Sequence, residues 1–384
     1  MEGCLFMRIV HTSDWHLGKT MSDYSLLEDQ IYFLNHFAEE MRQQRPDVII
    51  IAGDFYDRSV PAAQVVEVAN QILDTLVGSL KIPVIITAGN HDSKERLSFA
   101  YKMMEKSGLY LVGSNYQPIP KITLYDDNGA VHFYPLPYMN RYDIKSVYPQ
   151  QHFSKEEDAF LFWTQQLREQ LNPNERNVLI AHGFFSLSGN LEKSDGTQVG
   201  GSQLVSLAEF SNFDYIALGH IHKARTVGLP QARYSGSPLK YSVSESSHKK
   251  VYYLVELTEK GNLNIQEHVI KPLRDVRIVS GVFADIKRRE YHENQNFDDY
   301  VFISLHDREP VPDVMSRLKP LFPNILGIQF PEYGSSIFQN QETLKSLQNK
   351  SISDLFYDFY RLSTGEPLTP IQEKIIQEMT AQFE

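Results

Sequence analysis

The chain has one cysteine, Cys4, among its 384 residues, so no disulfide can form within it. That usage predicts a reducing, cytoplasmic location. No apolar run approaches the roughly 20 residues that a membrane-spanning helix needs, so no membrane partner is expected. Met1–Phe6 lacks the length and the basic start of a signal peptide, and Met7, where the first apolar run begins, is an alternative start. There is no Gly-x-x-x-x-Gly-Lys-Ser/Thr loop, so any dependence on ATP must come from a partner. An excess of basic charge is missing too: 37 Lys and Arg stand against 48 Asp and Glu, a net charge of −11. Taken alone, that argues against a nucleic-acid partner. The argument is limited, because metal-ligating carboxylates count as negative and divalent ions would return positive charge where substrate sits. Two local basic groups, Lys249-Lys250 and Lys287-Arg288-Arg289, are also available.

What the chain does have is one shape, repeated. A short run rich in Val and Ile stops at a metal-capable side chain, usually beside a glycine. Ile9-Val10-His11-Thr12-Ser13 runs into Asp14-Trp15-His16, and Val48 to Ala52 into Gly53-Asp54. Val84 to Ala88 runs into Gly89-Asn90-His91-Asp92, Val178 to Ala181 into His182-Gly183, and Tyr215 to Leu218 into Gly219-His220-Ile221-His222. Such runs read as buried strands. Ligands of sheets of this kind collect outside the strand ends, so five such ends predict one shared site. The donor set is oxygen and imidazole with no thiolate, which suits Mn, Fe or Zn.

Asp14, His16, Asp54, Asn90, His182, His220 and His222 are too many ligands for one metal. Two ions sharing a bridging carboxylate would use them all. Two ions about 3.5–4 Å apart are the usual clamp for in-line attack on a phosphate ester. They screen the anionic ester, activate a water and hold the phosphoryl oxygens, while a non-ligand histidine protonates the leaving oxygen. The other histidines, His11, His36, His132, His152, His248, His268, His292 and His306, read as ordinary structural or surface residues, and Trp15 as packing beneath its loop.

The motifs Asp-x-His, Gly-Asp, Gly-Asn-His-Asp, His-Gly and Gly-His-x-His, in that order, resemble the calcineurin-type metallophosphoesterase superfamily. The fuller forms Ser13-Asp14-Trp15-His16-Leu17-Gly18, Ala52-Gly53-Asp54-Phe55-Tyr56-Asp57 and Ser235-Gly236-Ser237-Pro238-Leu239 are similar to those of the SbcD-type bacterial nucleases. The resemblance implies that Asp14, His16, Asp54 and His222 hold one metal and Asp54, Asn90, His182 and His220 the other. His91 is then the acid. It implies two Mn ions per chain, with Mg or another divalent ion as alternatives. It further implies an SbcC-type ATPase partner, DNA ends and hairpins as substrate, a homodimer that forms a heterotetramer with its partner, and a place at the nucleoid. Archaeal and eukaryotic relatives carry a second helper histidine three residues after the bridging Asp. Here that position is Asp57, as in bacterial members.

The expected fold is α/β, a four-layer α-β-β-α sandwich followed by a small α/β capping domain and a C-terminal helical tail. Helical spacing predicts helices over 22–45, 62–80, 93–106 and 159–171. Asp126-Asp127-Asn128-Gly129 predicts a hairpin within 116–136. Residues 138–158 read as a long surface loop with Tyr138, Asn140 and Arg141 as DNA-contact candidates, and 184–201 as a Gly- and Ser-rich rim or link. Residues 233–243 and 251–257 read as strands closing a second sheet. The catalytic domain spans 1–272 and the cap 273–330, with strands over 276–284, 300–305 and 325–330 and a helix over 312–321. A linker follows over 331–350 and a helical SbcC-docking motif over 351–384. There Ile352, Leu355, Phe356 and Phe359 form one stripe and Ile371, Ile375 and Met379 another, after a Thr369 to Gln372 capping box.

The function expected is a Mn-dependent DNA nuclease subunit, exonucleolytic at double-strand ends and endonucleolytic on hairpins and single strands, for end processing in repair and recombination. A phosphodiesterase or phosphatase for small molecules is the alternative that the five motifs alone allow. The cap, linker and tail speak against it. A non-catalytic scaffold would have lost ligands, and none is missing here.

Overall fold

The computed structural model describes residues 6–113, 119–187, 204–288, 296–307, 309, 311–331, 353–354, 356–357, 360–361 and 367–380. The start at Met1–Phe6 with Cys4, most of the 184–201 segment, Arg289, the 331–350 linker and the Ile352, Leu355 and Phe359 positions of the tail lie outside them, except Phe6, 184–187 and residue 331. The chain divides into two compact units, Met1–Val276 and Arg277–Glu384.

In the first unit two six-stranded sheets stack face to face. One runs Leu263–Val269, Val251–Leu257, Met7–Thr12, Val48–Ala52, Val84–Thr87 and Leu109–Val112. Its last four strands are parallel. The other runs Arg225–Val227, Leu229–Tyr234, Tyr215–Gly219, Arg176–His182, Gly129–Leu136 and Ile122–Asp126. Its four central strands are parallel, with an antiparallel strand at each edge. Side chains alternate across a strand, and this sorts each apolar run. Ile9, Ile50, Val178, Ile180, Tyr215 and Val255 fill the layer between the sheets. Leu179, Ala181, Ile216 and Leu218 face the other way, onto Trp163 and Leu167 of the Glu156–Glu169 helix. Trp15 is fully buried and packs edge-on to Phe33 and Phe37 of the Leu27–Gln44 helix. The four-layer α-β-β-α sandwich follows.

Far from the motif loops, Arg176 ties the sheets together. Its guanidinium donates to Asp126, at the end of the edge strand Ile122–Asp126 of its own sheet, and to the carbonyl oxygen of Thr258 at 2.8 Å, just beyond the other sheet's Val251–Leu257 strand.

Several expectations are corrected. The first helix begins at Leu27, because Thr20–Met21 and Tyr24–Ser25 pair into a small ribbon around Ser22, whose φ is +53°. The second helix is α-helical only over Ala63–Leu73 and widens to π geometry over Asp74–Ser79. The third is two short helices, Lys94–Leu97 and Tyr101–Glu105, broken where Ala100 turns left-handed at φ +55°. The stretch read as a surface loop holds a helix, Arg141–Val147, started by an Asn140–Asp143 capping box. The strand expected over 233–243 ends at Tyr234, and Val251–Leu257 lies in the first sheet, beside Met7–Thr12.

In the second unit Val276–Gly281, Tyr300–Leu305 and Ile325–Gln329 form one sheet. Val279, Phe283, Ile303, Leu318 and Phe322 form its core. The first strand stops at Gly281, where Phe283–Ile286 turns helical, and the expected 312–321 helix is confined to Val314–Leu318. Pro370–Thr380 is a helix. The predicted capping box is present: the Thr369 N–H donates to Gln372 Oε1 at 2.8 Å, and the Gln372 N–H reaches Thr369 Oγ1 at 3.4 Å. Ile371, Ile375 and Met379 are 75, 49 and 62% exposed on it.

Candidate metal centre

All five motif loops meet at one edge of the sandwich, three from the first sheet and two from the second. Backbone bonds bring them together: Asp14 N donates to the Gly53 carbonyl at 3.0 Å, and His16 N to that of Asp54 at 2.9 Å. The sheets approach so closely that a Cβ on Gly53 would sit 2.1 Å from His182 Nδ1. Asp14, His16, Asp54 and His220 all have positive φ, at +52°, +44°, +49° and +100°. Non-glycine residues pay roughly 1–2 kcal/mol each for such a backbone. The cost is borne at the residues that aim side chains into the site.

Two groups of candidate ligand atoms result, Asp14 with His16 and His222, and Asp54 with His182 and His220. Asp54 lies between them, with Oδ2 3.5 Å from His16 Nε2 and 3.3 Å from His182 Nε2. Asn90 Oδ1 is 2.9 Å from His220 Nδ1 and 3.2 Å from His182 Nε2. A third group, His16, Asp57 and His91, shares His16 with the first. His91 N donates to Asp54 Oδ1 at 2.8 Å, and its Nδ1 lies 2.9 Å from the Asp57 carbonyl. All eight residues singled out in the sequence are therefore neighbours.

The tautomers set by outer partners leave lone pairs converging. His182 Nδ1 donates to the Ala52 carbonyl at 2.9 Å, and His222 Nδ1 to Glu245 Oε1 at 3.0 Å. In each ring Nε2 then faces the site, where a metal would take the place of any proton it carries. His16 Nε2 and His222 Nε2 lie 3.2 Å apart. Two imidazole lone pairs that close repel unless a cation or proton joins them. Carboxylate oxygens, an amide oxygen and imidazoles are the donors expected for divalent first-row ions, so the residues fit a metal.

Electrostatics agree. Burial alone would raise the Asp54 pKa, but His182, then His16 and His91, hold it well below the usual carboxylate range. His182 is raised to about 9, because Asp54 outweighs the effect of burial. His220 is lowered to about 4, by burial and then by His182. Asp57 is lowered to about 2: burial opposes this, and His16 and Lys19 overcome it. It therefore stays ionised and cannot serve as a proton donor at neutral pH.

Residues that sequence reasoning passed over hold this arrangement. Asp92 accepts backbone N–H bonds from Phe55 at 3.1 Å, Tyr56 at 2.9 Å and Gly89 at 2.9 Å, so it fastens two motif loops to each other. Its place in Gly-Asn-His-Asp was a signal. Gln30 donates to the Trp15 and His16 carbonyls at 3.1 and 2.8 Å from inside a helix, where nothing in the spacing marks it. Tyr138 stacks over His220 with ring centroids 6.4 Å apart, and Phe184 meets the same ring edge-on at 4.2 Å. Asn140 is taken up by its capping role, and Arg141 reaches the Ser154 carbonyl and the Tyr142 hydroxyl. Lys250, read as half of a basic patch, is buried against Glu245 at 2.5 Å and is not available to a phosphate.

The profile of the calcineurin-like phosphoesterases matches residues 7–224, and that of the type 5 capsule protein repressor C-terminal domain matches residues 272–364. The chain is 33% identical over 385 residues to the SbcD subunit of the SbcCD nuclease from Staphylococcus saprophyticus subsp. saprophyticus, covering 98% of this chain and 99% of the relative. It is 30% identical over 375 residues to the protein of the same name from Staphylococcus epidermidis, covering 97% of this chain and 98% of the relative. A family match over more than half of the chain and near-complete alignment to these two relatives lead to one assignment: the chain belongs to the calcineurin-like phosphoesterases, in the family of the SbcD subunits of SbcCD nucleases.

Proposed function

We propose that this chain is the Mn-dependent nuclease subunit of an SbcC–SbcD-type complex and hydrolyses DNA phosphodiesters at double-strand ends, hairpins and single strands. The observation that carries the reading is the convergence of Asp14, His16 and His222 with Asp54, His182 and His220, with Asn90 beside the second group. In this reading one ion takes Asp14, His16, Asp54 and His222, and the other Asp54, Asn90, His182 and His220. Mn is the favoured occupant, with Mg or another divalent ion as the alternative. Ions held there supply Lewis acidity and positive charge toward an anionic phosphodiester and its attacking water.

The chain's own residues do the rest. His91 donates Nδ1–H to the Asp57 carbonyl, which leaves Nε2 to carry the proton to the leaving oxygen. Lys19 Nζ, 2.8 Å from Asp57, helps to keep that carboxylate beside His16. Asp92 holds the loop that carries Asn90 and His91.

Residues 1–272 form the nuclease domain, 273–330 the cap, 331–350 a linker and 351–384 the docking segment. The exposed stripe of Ile371, Ile375 and Met379 supports docking on an SbcC-type ATPase, which would supply ATP dependence. Phe99 and Met103, 77 and 73% exposed, support self-pairing into a homodimer and, with the partner, a heterotetramer. The setting is the cytoplasm, at the nucleoid; no helix among the described residues is long and apolar enough to cross a membrane. The deciding assay uses the purified chain with end-labelled linear duplex DNA in Mn, Mg or chelator, alone and with the ATPase and ATP. Mn-dependent shortening supports the reading. Hydrolysis of a small chromogenic diester with no DNA cleavage under any condition would move it to the small-molecule class.

A further inference from the structure

The Ser235-Gly236-Ser237-Pro238-Leu239 motif contributes no ligand, and Glu245 and Lys250 match no catalytic pattern. In the structure they share one task. Glu245 is buried, with Oε1 3.0 Å from His222 Nδ1 and Oε2 2.5 Å from Lys250 Nζ. Lys250 Nζ also donates to the His222 carbonyl at 2.9 Å and to Ser237 Oγ at 2.8 Å. Ser237 Oγ donates to the Leu239 carbonyl at 2.8 Å, and Ser237 N reaches the His222 carbonyl at 3.3 Å. Gly236, at φ +73°, passes so near that a Cβ there would be 2.6 Å from that same carbonyl oxygen. Both the ring and the backbone of His222 are therefore gripped from one side by this cradle.

We infer that Glu245, balanced by Lys250, is the positioning residue that fixes the tautomer and orientation of His222, and so sets the affinity of the His222 metal position alone. The inference rests on the metal-centre reading above. Its physical basis is specific. An imidazole can present either nitrogen, and only a fixed acceptor on Nδ1 keeps the Nε2 lone pair directed inward. A buried carboxylate is a strong acceptor, but unpaired it would be costly, and Lys250 removes that cost while anchoring the His222 carbonyl. The other group has a different holder: His182 Nδ1 rests on the Ala52 carbonyl, which no side-chain substitution removes. The two metal positions should thus respond differently to one change.

The test is Mn binding by calorimetry, with metal content by elemental analysis, on the full chain. It compares wild type, Glu245→Ala, and the Glu245→Gln/Lys250→Met double variant, which keeps an oxygen facing His222 and leaves no unpaired buried charge. Wild type is expected to bind two Mn. Glu245→Ala should weaken one position by about 10–100-fold and leave the other at the wild-type value. The double variant should recover most of that loss. A merely structural role would lower the apo melting temperature without splitting the two affinities. Wild-type affinities at both positions in Glu245→Ala, or equal weakening of both, would overturn the inference. A wild type that binds no Mn would instead sink the metal-centre reading. If Glu245→Ala does not fold, the tautomer decides. In apo wild type carrying 15N-histidine, the His222 resonances, assigned by their loss in His222→Gln, should report Nδ1–H. An Nε2–H tautomer there would refute the assignment.

Discussion

The Nδ1 atom of His91 lies 2.9 Å from the main-chain carbonyl of Asp57, while the Asp57 carboxylate faces His16 and Lys19. One residue thus meets His91 through its backbone and His16 through its side chain. His91→Ala removes the proposed acid and leaves the candidate ligand atoms in place. It should lower the rate of duplex DNA cleavage in Mn by about 10²–10⁴-fold, with metal content at the wild-type value. Steady-state cleavage rates and elemental analysis check both halves.

Metal should also stabilise the fold. At free Mn about 100-fold above Kd, binding contributes about 2.7 kcal/mol per site, a rise in melting temperature of roughly 5 °C or more for a unit of this size. Chelator should reverse it. Asp54→Asn, which removes the charge between His16 and His182, should abolish most of the shift in thermal denaturation with and without Mn.

Asp92 makes its contribution to the loops themselves. Asp92→Ala strips acceptors from the Phe55, Tyr56 and Gly89 amides inside the protein and should cost about 3 kcal/mol of stability. Urea denaturation of the apo protein measures this, and unchanged stability would show that the loops are held by other means.

His11 gives the fold an acid-sensitive point away from the ligands. Its Nδ1 is paired with the Tyr215 hydroxyl at 2.8 Å, and complete burial lowers its pKa to about 3 from 6.5. The native ring stays neutral while the unfolded ring takes up a proton below about pH 6.5. Stability from His11 is therefore full above that pH and lost as pH falls toward 3. Relative to His11→Asn, wild type should lose about 2 kcal/mol between pH 7 and pH 5, read from denaturation curves at each pH.

The tail makes a separable prediction. Ile371→Asp combined with Ile375→Asp should change the chain's own stability by no more than about 0.5 kcal/mol, since both side chains are exposed. It should reduce binding to the SbcC-type ATPase by about 100-fold or more in a pull-down or calorimetric titration. Undiminished binding would assign the stripe another purpose.

The strands and the metal-capable side chains at their ends were legible because both signals are local: an apolar run, then a glycine beside a carboxylate or imidazole. What stayed hidden depends on contacts between distant residues. The break at Ala100 interrupts a good helical stripe through a backbone turn that composition does not mark. Val251–Leu257 reads equally well in either sheet, and only pairing with Met7–Thr12 decides. Asn140–Asp143 was a readable capping signal that the aromatic, aperiodic surroundings obscured. Glu245 and Lys250 gain their meaning only from His222, more than 20 positions earlier, and a paired lysine looks like any other lysine in a sequence.

Arg176 and the metal centre sit at opposite ends of the same sandwich, and they fasten it in different ways. Arg176 is permanent, built from bonds that depend on no ligand. At the other end six converging groups from both sheets could hold a metal ion, and His16 Nε2 and His222 Nε2 stand only 3.2 Å apart. Loss of metal should therefore loosen the protein at one edge, with amide exchange rising in the motif loops while the strands around Arg176 stay protected. The site is then as much a clasp as a catalyst, facing an end of the sandwich that Arg176 and the Lys260–Asp214 pair keep fastened without it.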